Sequence, residues 1–85
     1  MPKLSLYYYP SCYFCGTVRS TAQQLGLELE LRDIHQDRAV HDELVAARGR
    51  RTVPVLHIDA DDGSVEWMGE SRDIIAHLEK LAGER

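Results

Sequence analysis

A Cys-x-x-Cys pair at a strand-to-helix junction is the feature that most constrains this chain. The pair is Cys12 and Cys15, the only two cysteines among 85 residues. Before it, residues 3–9 alternate and are rich in strand-favouring side chains, which predicts a buried strand. After it, Val18 and Ala22 lie on one stripe at helical spacing, which predicts a helix. Cys12 is therefore expected at a helix N-terminus, where unpaired N–H groups and the helix dipole stabilise a thiolate.

Three kinds of chemistry are compatible with such a pair. A zinc site would need two further ligands, but no second cysteine pair exists and the four histidines are scattered without ligand-like spacing. An inert structural disulfide is typical of secreted chains. The third interpretation is thiol redox chemistry, in which Cys15, one helical turn after Cys12, resolves a disulfide formed there. The strand–helix context favours this interpretation.

Size and composition limit the class of protein and the cellular compartment in which that chemistry is expected. Eighty-five residues predict one domain, 1–85, and the 44% hydrophobic and 28% charged content predicts a globular one. A net charge of −4 argues against nucleic acid as a partner. No apolar run is long enough to span a membrane. The N-terminus lacks the features of a signal peptide, so we expect a cytoplasmic monomer.

The remaining hydrophobic patterns complete an α/β chain of order βαβαββα. Leucines alternate with charged residues over 27–34, which predicts a half-exposed strand at a sheet edge. The first helix is expected to end near Leu25-Gly26, and the second at Gly49. The predicted elements after the first helix are a strand at 27–34, a helix at 36–48, strands at 55–59 and 65–68, and a helix at 71–81.

Three motifs in this order resemble the glutaredoxin family over the whole chain. They are the Cys-x-x-Cys pair after the first strand, Thr52-Val-Pro54 before the third strand, and Gly69-Glu-Ser71 opening the last helix. The resemblance implies a thioredoxin fold, a four-stranded mixed sheet flanked by three helices. It also implies reduction of protein disulfides and glutathione mixed disulfides, with glutathione as the reductant and no metal. The implied partners are glutathione and disulfide-bearing or glutathionylated proteins.

The resemblance also assigns roles to individual residues. Cys12 matches the nucleophile and Cys15 the resolving thiol. Pro54 matches a cis-proline whose preceding backbone, at Val53, pairs with the peptide chain of glutathione. Read without the resemblance, Pro54 simply starts a strand. The glutathione contacts expected from the resemblance and from the local chemistry are Tyr9, Arg50, Arg51, Thr52, Val53, Pro54, Glu70 and Ser71.

Both carboxylates of glutathione have a candidate site. Ser71 and the backbone at Glu70 match the place that holds the γ-glutamyl carboxylate, and a helix N-terminus suits an anion. Ser71 could equally cap its own helix. For the glycine carboxylate, a basic cluster precedes Thr52, and guanidinium groups bind carboxylates in a bidentate manner. Within that cluster we favour Arg51 or Arg50 over Arg48; a purely solvated role is the alternative.

The sequence departs from the glutaredoxin pattern at two positions. Tyr13 replaces the proline that commonly follows the first cysteine, which leaves the redox potential open. Tyr9 replaces a lysine, so Cys12 relies more on helix-terminus amides. Tyr9 could contact the bound tripeptide through its ring and hydroxyl, or serve only as a strand residue.

A second resemblance and two alternative functions complete the hypotheses. Gly69-Glu-Ser71 followed by Arg-Asp-Ile-Ile also resembles the glutathione transferase N-terminal domain, in which Glu-Ser holds the γ-glutamyl group. That family normally adds a large helical domain, and with the chain ending at Arg85 we do not expect a complete transferase. The alternative functions are a redoxin recharged by thioredoxin reductase and a carrier of a glutathione-ligated [2Fe–2S] cluster.

Overall fold

A four-stranded mixed sheet is the centre of the structure, a computed structural model that describes residues 2–84. In chain order the elements are β1 (Lys3–Tyr8), α1 (Tyr13–Gln24), β2 (Glu30–Asp33), α2 (Arg38–Arg48), β3 (Val55–Asp59), β4 (Val65–Met68) and α3 (Ser71–Gly83). The strand order is β2-β1-β3-β4. β1 pairs in parallel with β2 and antiparallel with β3, and β3 pairs antiparallel with β4. The predicted thioredoxin-like fold of order βαβαββα is therefore confirmed.

The alternation of β1 divides the interior into two cores. Leu4 and Leu6 point to one face of the sheet, where the larger core also contains Val18 of α1 and Ile74 of α3. Tyr7 points to the other face, where a smaller core includes Leu44 of α2. Because successive strand residues face opposite sides, one strand supplies both cores. α1 and α3 therefore pack on one face of β1, and α2 packs on the other. β1 ends shortly before the cysteine pair.

The second strand is shorter than predicted. Pairing with β1 starts at Ser5 opposite Glu30, so residues 27–29 have no strand partner and lie outside β2. The Leu27 N–H instead donates to the Ala22 carbonyl at 2.9 Å, which closes the end of α1. Leu31 lies within the strand but is 43% exposed. The alternating leucines therefore do not mark one continuous strand face, although the position of β2 at the sheet edge was predicted correctly.

Charged side chains cover the β2 edge. Arg32 forms ion pairs with Glu43 of α2 at 3.1 Å and with Glu30 at 3.5 Å, and Lys3 reaches Glu30 at 3.3 Å. The Tyr7 hydroxyl donates to Glu43 at 2.9 Å. Burial, helped by that hydrogen bond, raises the pKa of Tyr7 to about 12, so the phenol remains a donor. These contacts attach α2 to the sheet.

Two features define the ends of α2. Asp37 is its N-cap, and the carboxylate accepts from the Ala39 N–H at 3.0 Å. The predicted start at 36 was two residues early because the Asp33 carboxylate holds the preceding turn, accepting from the N–H groups of His35 and Gln36. The predicted end is confirmed: Gly49 follows the helix with a φ of 75°.

No helix within residues 2–84 is both long and apolar enough to cross a membrane.

Candidate functional site

Cys12 is the N-cap residue of α1, as the sequence predicted. Its backbone is extended, with φ −78° and ψ 116°, and its Sγ accepts a hydrogen bond from the Cys15 N–H at 3.2 Å. The Cys12 N–H in turn donates to the Tyr9 carbonyl at 3.1 Å. A thiolate gains from such an amide donor and from the positive end of the helix dipole. Cys12 is half-buried and both cysteines are free thiols.

Cys15 occupies a different environment one turn along α1. It is 1% exposed and packs inside the domain. Burial raises the pKa of the Cys15 thiol to about 12, and the hydrogen bond and charge of the neighbouring Cys12 act in the same direction. Cys15 is therefore protonated at neutral pH. Cys12, in contrast to the enclosed Cys15, is half-buried and lines a surface cavity. The pair consists of one accessible sulfur and one enclosed sulfur.

Two exposed aromatic side chains flank the cysteines. Tyr13 is 78% exposed and Phe14 57% exposed, with an edge-to-face contact of 5.3 Å between their ring centroids. Both rings line a groove of about 500 Å³ that runs to Ser71 and Ile75 of α3. Phe14 was not among the site residues predicted from the sequence. The signal available was its position inside the Cys-x-x-Cys pair.

The Thr52-Val-Pro54 segment lies just before β3. The Val53–Pro54 peptide bond is cis. Pro54 is buried, Val53 is half-buried against the smaller core, and Thr52 is exposed. Pro54 precedes β3, which starts at Val55, so the proline does not interrupt any strand pairing.

The N-terminus of α3 carries no side-chain cap within residues 2–84. Its N-cap is Glu70, whose side chain makes no capping hydrogen bond, and Ser71 is the first helical residue. The Ile74 N–H bonds the Glu70 carbonyl at 2.8 Å. Ser71 is thus not the N-cap that a capping role would require. The N–H groups of the first turn, which usually need a side chain, water or ligand, remain available.

The three arginines before Thr52 point to different places. Arg51 lines a cleft of about 540 Å³ whose other walls include His35, Arg38 and His41. Arg50 is exposed. The Arg48 guanidinium instead reaches β4, where it donates to the Trp67 carbonyl at 3.5 Å. The cluster in the sequence is therefore not one cluster in space.

Tyr9 has a defined structural contact. Its ring stacks on that of His35, with 4.2 Å between centroids and 6° between planes, and it packs against the smaller core. The stack places Tyr9 between the cysteine loop and the segment that contains His35. Residues 2–84 include no cluster of three or more histidine, cysteine or acidic side chains suited to a metal ion.

Solved structures with the same fold are glutathione-related proteins. Maleylacetoacetate isomerase from Anaeromyxobacter dehalogenans 2CP-1, with bound dicarboxyethyl glutathione and citrate, is 28% identical; the match covers 98% of this chain and 38% of that one, with a TM-score of 0.74. A glutathione transferase homologue from Drosophila mojavensis with bound glutathione is 22% identical, covering 98% of this chain and 36% of that one, with a TM-score of 0.77. Comparison with curated proteins found no significant match.

Glutathione transferase Omega 2S from Trametes versicolor, 15% identical, has a TM-score of 0.80 over 99% of this chain and 38% of its own. The chain thus spans 36–38% of the length of these three structures. The family model of the glutathione S-transferase N-terminal domain matches residues 6–85. This is the second of the two resemblances seen in the sequence, and it does not single out glutaredoxins. The chain belongs to the glutathione S-transferase N-terminal domain family.

Proposed function

We propose that this domain binds glutathione and exchanges thiols with disulfides through Cys12. The observation that carries the proposal is the cysteine pair itself: an accessible sulfur at a helix N-terminus, bonded by the Cys15 N–H at 3.2 Å, beside an enclosed second thiol. The accessible sulfur suits a nucleophile, because amide donors and the helix dipole stabilise its thiolate. A serine or tyrosine at this position would not form disulfides.

The proposed reaction begins on a mixed disulfide between glutathione and a substrate thiol. The Cys12 thiolate attacks the glutathione sulfur, the old S–S bond breaks, and the substrate thiolate leaves and takes a proton from water. A second glutathione thiolate then attacks the glutathione sulfur bound to Cys12. This step releases oxidised glutathione and restores the Cys12 thiolate. The electron pair that reduces the substrate is supplied by the second, incoming glutathione thiolate; the glutathione from the mixed disulfide stays at the disulfide level and becomes the other half of oxidised glutathione.

Cys15 supplies a slower second route. With a protein disulfide as substrate, the Cys15 sulfur attacks the Cys12 sulfur of the mixed disulfide and forms an internal disulfide, which glutathione later reduces. Its pKa of about 12 leaves little thiolate at neutral pH. We therefore assign glutathione, not Cys15, the main role in resolving a glutathionylated Cys12.

Glutathione is proposed to lie between three parts of the site. Its peptide backbone pairs with the backbone of Val53, next to the cis-proline. The γ-glutamyl carboxylate lies at the uncapped N-terminus of α3, near Ser71 and the Glu70 backbone, where N–H groups are available. The glycine carboxylate enters the cleft lined by Arg51. His35, which stacks on the Tyr9 ring, also lines that cleft.

A coupled assay tests the proposal. NADPH consumption is followed with a glutathione mixed disulfide, glutathione and glutathione reductase, and the protein is added last. We expect a clear rise in rate that is proportional to protein concentration. No rise would overturn the thiol–disulfide proposal, and thioredoxin reductase would then be tested as the electron donor. For the cluster-carrier alternative, visible absorbance of anaerobically purified protein is the direct readout.

A second candidate function is glutathione-dependent isomerisation. It is favoured by the 28% identity to maleylacetoacetate isomerase over 98% of this chain. Such a reaction returns glutathione unchanged, so it consumes no NADPH in the coupled assay. Loss of maleylacetoacetate, followed by its absorbance with glutathione present, measures it directly. Activity in this assay without activity in the coupled assay would favour isomerisation over thiol–disulfide exchange.

A further inference from the structure

Arg48 connects two elements that are far apart in the sequence. It is the last residue of α2, and its half-buried guanidinium crosses to the β4–α3 connection. Just before that connection, one guanidinium nitrogen donates to the Trp67 carbonyl at 3.5 Å. Trp67 lies in β4, three residues before Glu70, the N-cap of α3. The side chain therefore contacts the segment that leads into the α3 N-terminus.

Gly69 is the residue that lets the guanidinium lie so close. A Cβ added to Gly69 would collide with the terminal nitrogen of Arg48 and lie 3.0 Å from its central guanidinium carbon. The atoms it would meet are the far end of a flexible side chain. An alanine at this position would therefore displace the guanidinium without forcing the backbone to move.

Among residues 2–84, no acidic neighbour neutralises the charge of Arg48. No carboxylate of residues 2–84 lies within ion-pair distance of its guanidinium, in contrast to Arg32 and Arg38, which pair with acidic side chains. A half-buried cation beside an uncapped helix N-terminus increases the positive potential there. Both effects, contact and charge, act on the connection that presents Glu70 and Ser71.

We propose that Arg48 is a positioning residue for the γ-glutamyl end of glutathione. By lying on Gly69 and bonding the Trp67 carbonyl, it holds the β4–α3 connection in the geometry that presents the first N–H groups of α3. Arg51 acts at the opposite, glycine end. This inference rests on the proposed glutathione site, but it does not require thiol–disulfide turnover.

The test is a double-mutant cycle measured by binding. S-methylglutathione serves as the probe because it cannot exchange with the cysteines, and affinity is measured by calorimetry for the unaltered chain, Arg48→Met, Gly69→Ala and the double variant. We expect each single change to weaken binding about tenfold, the scale of one lost charge-assisted contact. The double variant should bind no worse than either single one, because both changes remove the same contact.

A shortened ligand assigns the end of glutathione that Arg48 affects. γ-Glutamyl-S-methylcysteine lacks the glycine, so Arg48→Met should weaken its binding by the same factor as for S-methylglutathione. Arg51→Met should weaken binding of S-methylglutathione alone. A merely structural role for Arg48 would also weaken binding of S-methylcysteinylglycine, which lacks the γ-glutamyl group, whereas the positioning role predicts that Arg48→Met leaves that affinity unchanged. Lys80→Met removes one positive charge from the other end of α3 and should leave both affinities unchanged.

Three results would overturn the inference. One is an unchanged affinity in Arg48→Met; another is full additivity of Arg48→Met and Gly69→Ala. The third is an Arg48→Met effect that disappears with the glycine-lacking ligand. If the unaltered chain binds neither ligand, the glutathione site itself is wrong and the inference is overturned with it. Thermal unfolding of each variant separates lost contacts from lost folding.

Discussion

The N-termini of α1 and α3 lie on the same face of the sheet but are satisfied differently. At α1, the Cys12 sulfur accepts from a first-turn N–H at 3.2 Å. At α3, the Glu70 side chain makes no such bond. A side-chain sulfur thus bonds a first-turn N–H at α1, whereas the N-cap side chain makes no such bond at α3, although Asp73 lies in its first turn. In the function proposed above, these two helix ends support different parts of one site, a nucleophile and a carboxylate receptor.

The largest expected effect comes from removing the sulfur at the α1 terminus. Cys12→Ser should lower turnover in the coupled assay by about 10³-fold or more, because the hydroxyl cannot form a disulfide. Serine is a good N-cap, so thermal unfolding should stay close to that of the unaltered chain. Cys15→Ser is the matched control and should keep most of its turnover on the glutathione mixed disulfide. Retention of more than about a tenth of the rate by Cys12→Ser would contradict the assigned nucleophile.

The rate at which Cys15, the enclosed thiol near the α1 terminus, attacks a disulfide on Cys12 should depend steeply on pH. Cys15 attacks only as a thiolate, and far below its pKa of about 12 the thiolate fraction rises tenfold per pH unit. Release of glutathione from isolated, glutathionylated Cys12 should therefore accelerate about a hundredfold between about pH 6 and pH 8. Mass spectrometry of quenched samples measures it, with glutathionylated Cys15→Ser as the blank. A rate independent of pH in this range would mean that Cys15 is not held as a thiol.

A capping carboxylate from the protein at the α3 N-terminus should make this terminus resemble that of α1, at the expense of glutathione binding. Glu70→Asp places a good N-cap side chain where Glu70 makes no cap. The free energy of unfolding should rise by about 1 kcal/mol, while affinity for S-methylglutathione falls about tenfold because the new carboxylate competes for the same N–H groups. Glu70→Gln, of the original length, should gain no stability. If Glu70→Asp strengthens glutathione binding, the γ-glutamyl carboxylate lies elsewhere.

The smallest effect is expected at α2, whose N-terminus has an ordinary cap. Asp37→Ala removes the bond to the Ala39 N–H and should cost about 1 kcal/mol of stability. Turnover in the coupled assay should not change, since Asp37 itself does not line the Arg51 cleft, although Arg38 and His41 of the same helix end do. Asp37→Asn, which retains a capping oxygen, should recover most of the stability. A large loss of turnover in Asp37→Ala at a temperature where it is folded would contradict this division of roles.

The sequence predicted the fold well where local patterns coincide with tertiary structure. Two-residue alternation located β1, and Asp-Gly in the 61–64 turn marked the hairpin between β3 and β4. The prediction failed in part at 27–34, because the Leu27 N–H bonds the Ala22 carbonyl at the end of α1 and pairing with β1 starts only at Glu30. Alternating leucines there reflect burial against α1 for Leu27 and strand membership for Leu31, two different causes of one pattern.

The site was predictable to a smaller extent. The place of Cys12 at a helix N-terminus follows from the strand–helix junction, and it is confirmed. The N-cap of α3 is Glu70, where propensity favours Ser71, because backbone geometry and not side-chain preference decides which residue precedes the helix. The separation of Arg48 from Arg51 could not be predicted, because the contact that a long side chain makes at a helix end depends on its tertiary neighbours.

The division of β1 between two cores has a consequence for how this protein tolerates mutation. Leu6 is completely buried in one core and Tyr7 is nearly so in the other, and each packs against different helices. A substitution at either position cannot be compensated from the opposite face of the sheet, because the sheet itself separates the two sets of neighbours. In a saturation mutagenesis screen, we therefore expect adjacent positions 4–7 to be uniformly intolerant, whereas exposed helix positions accept most changes.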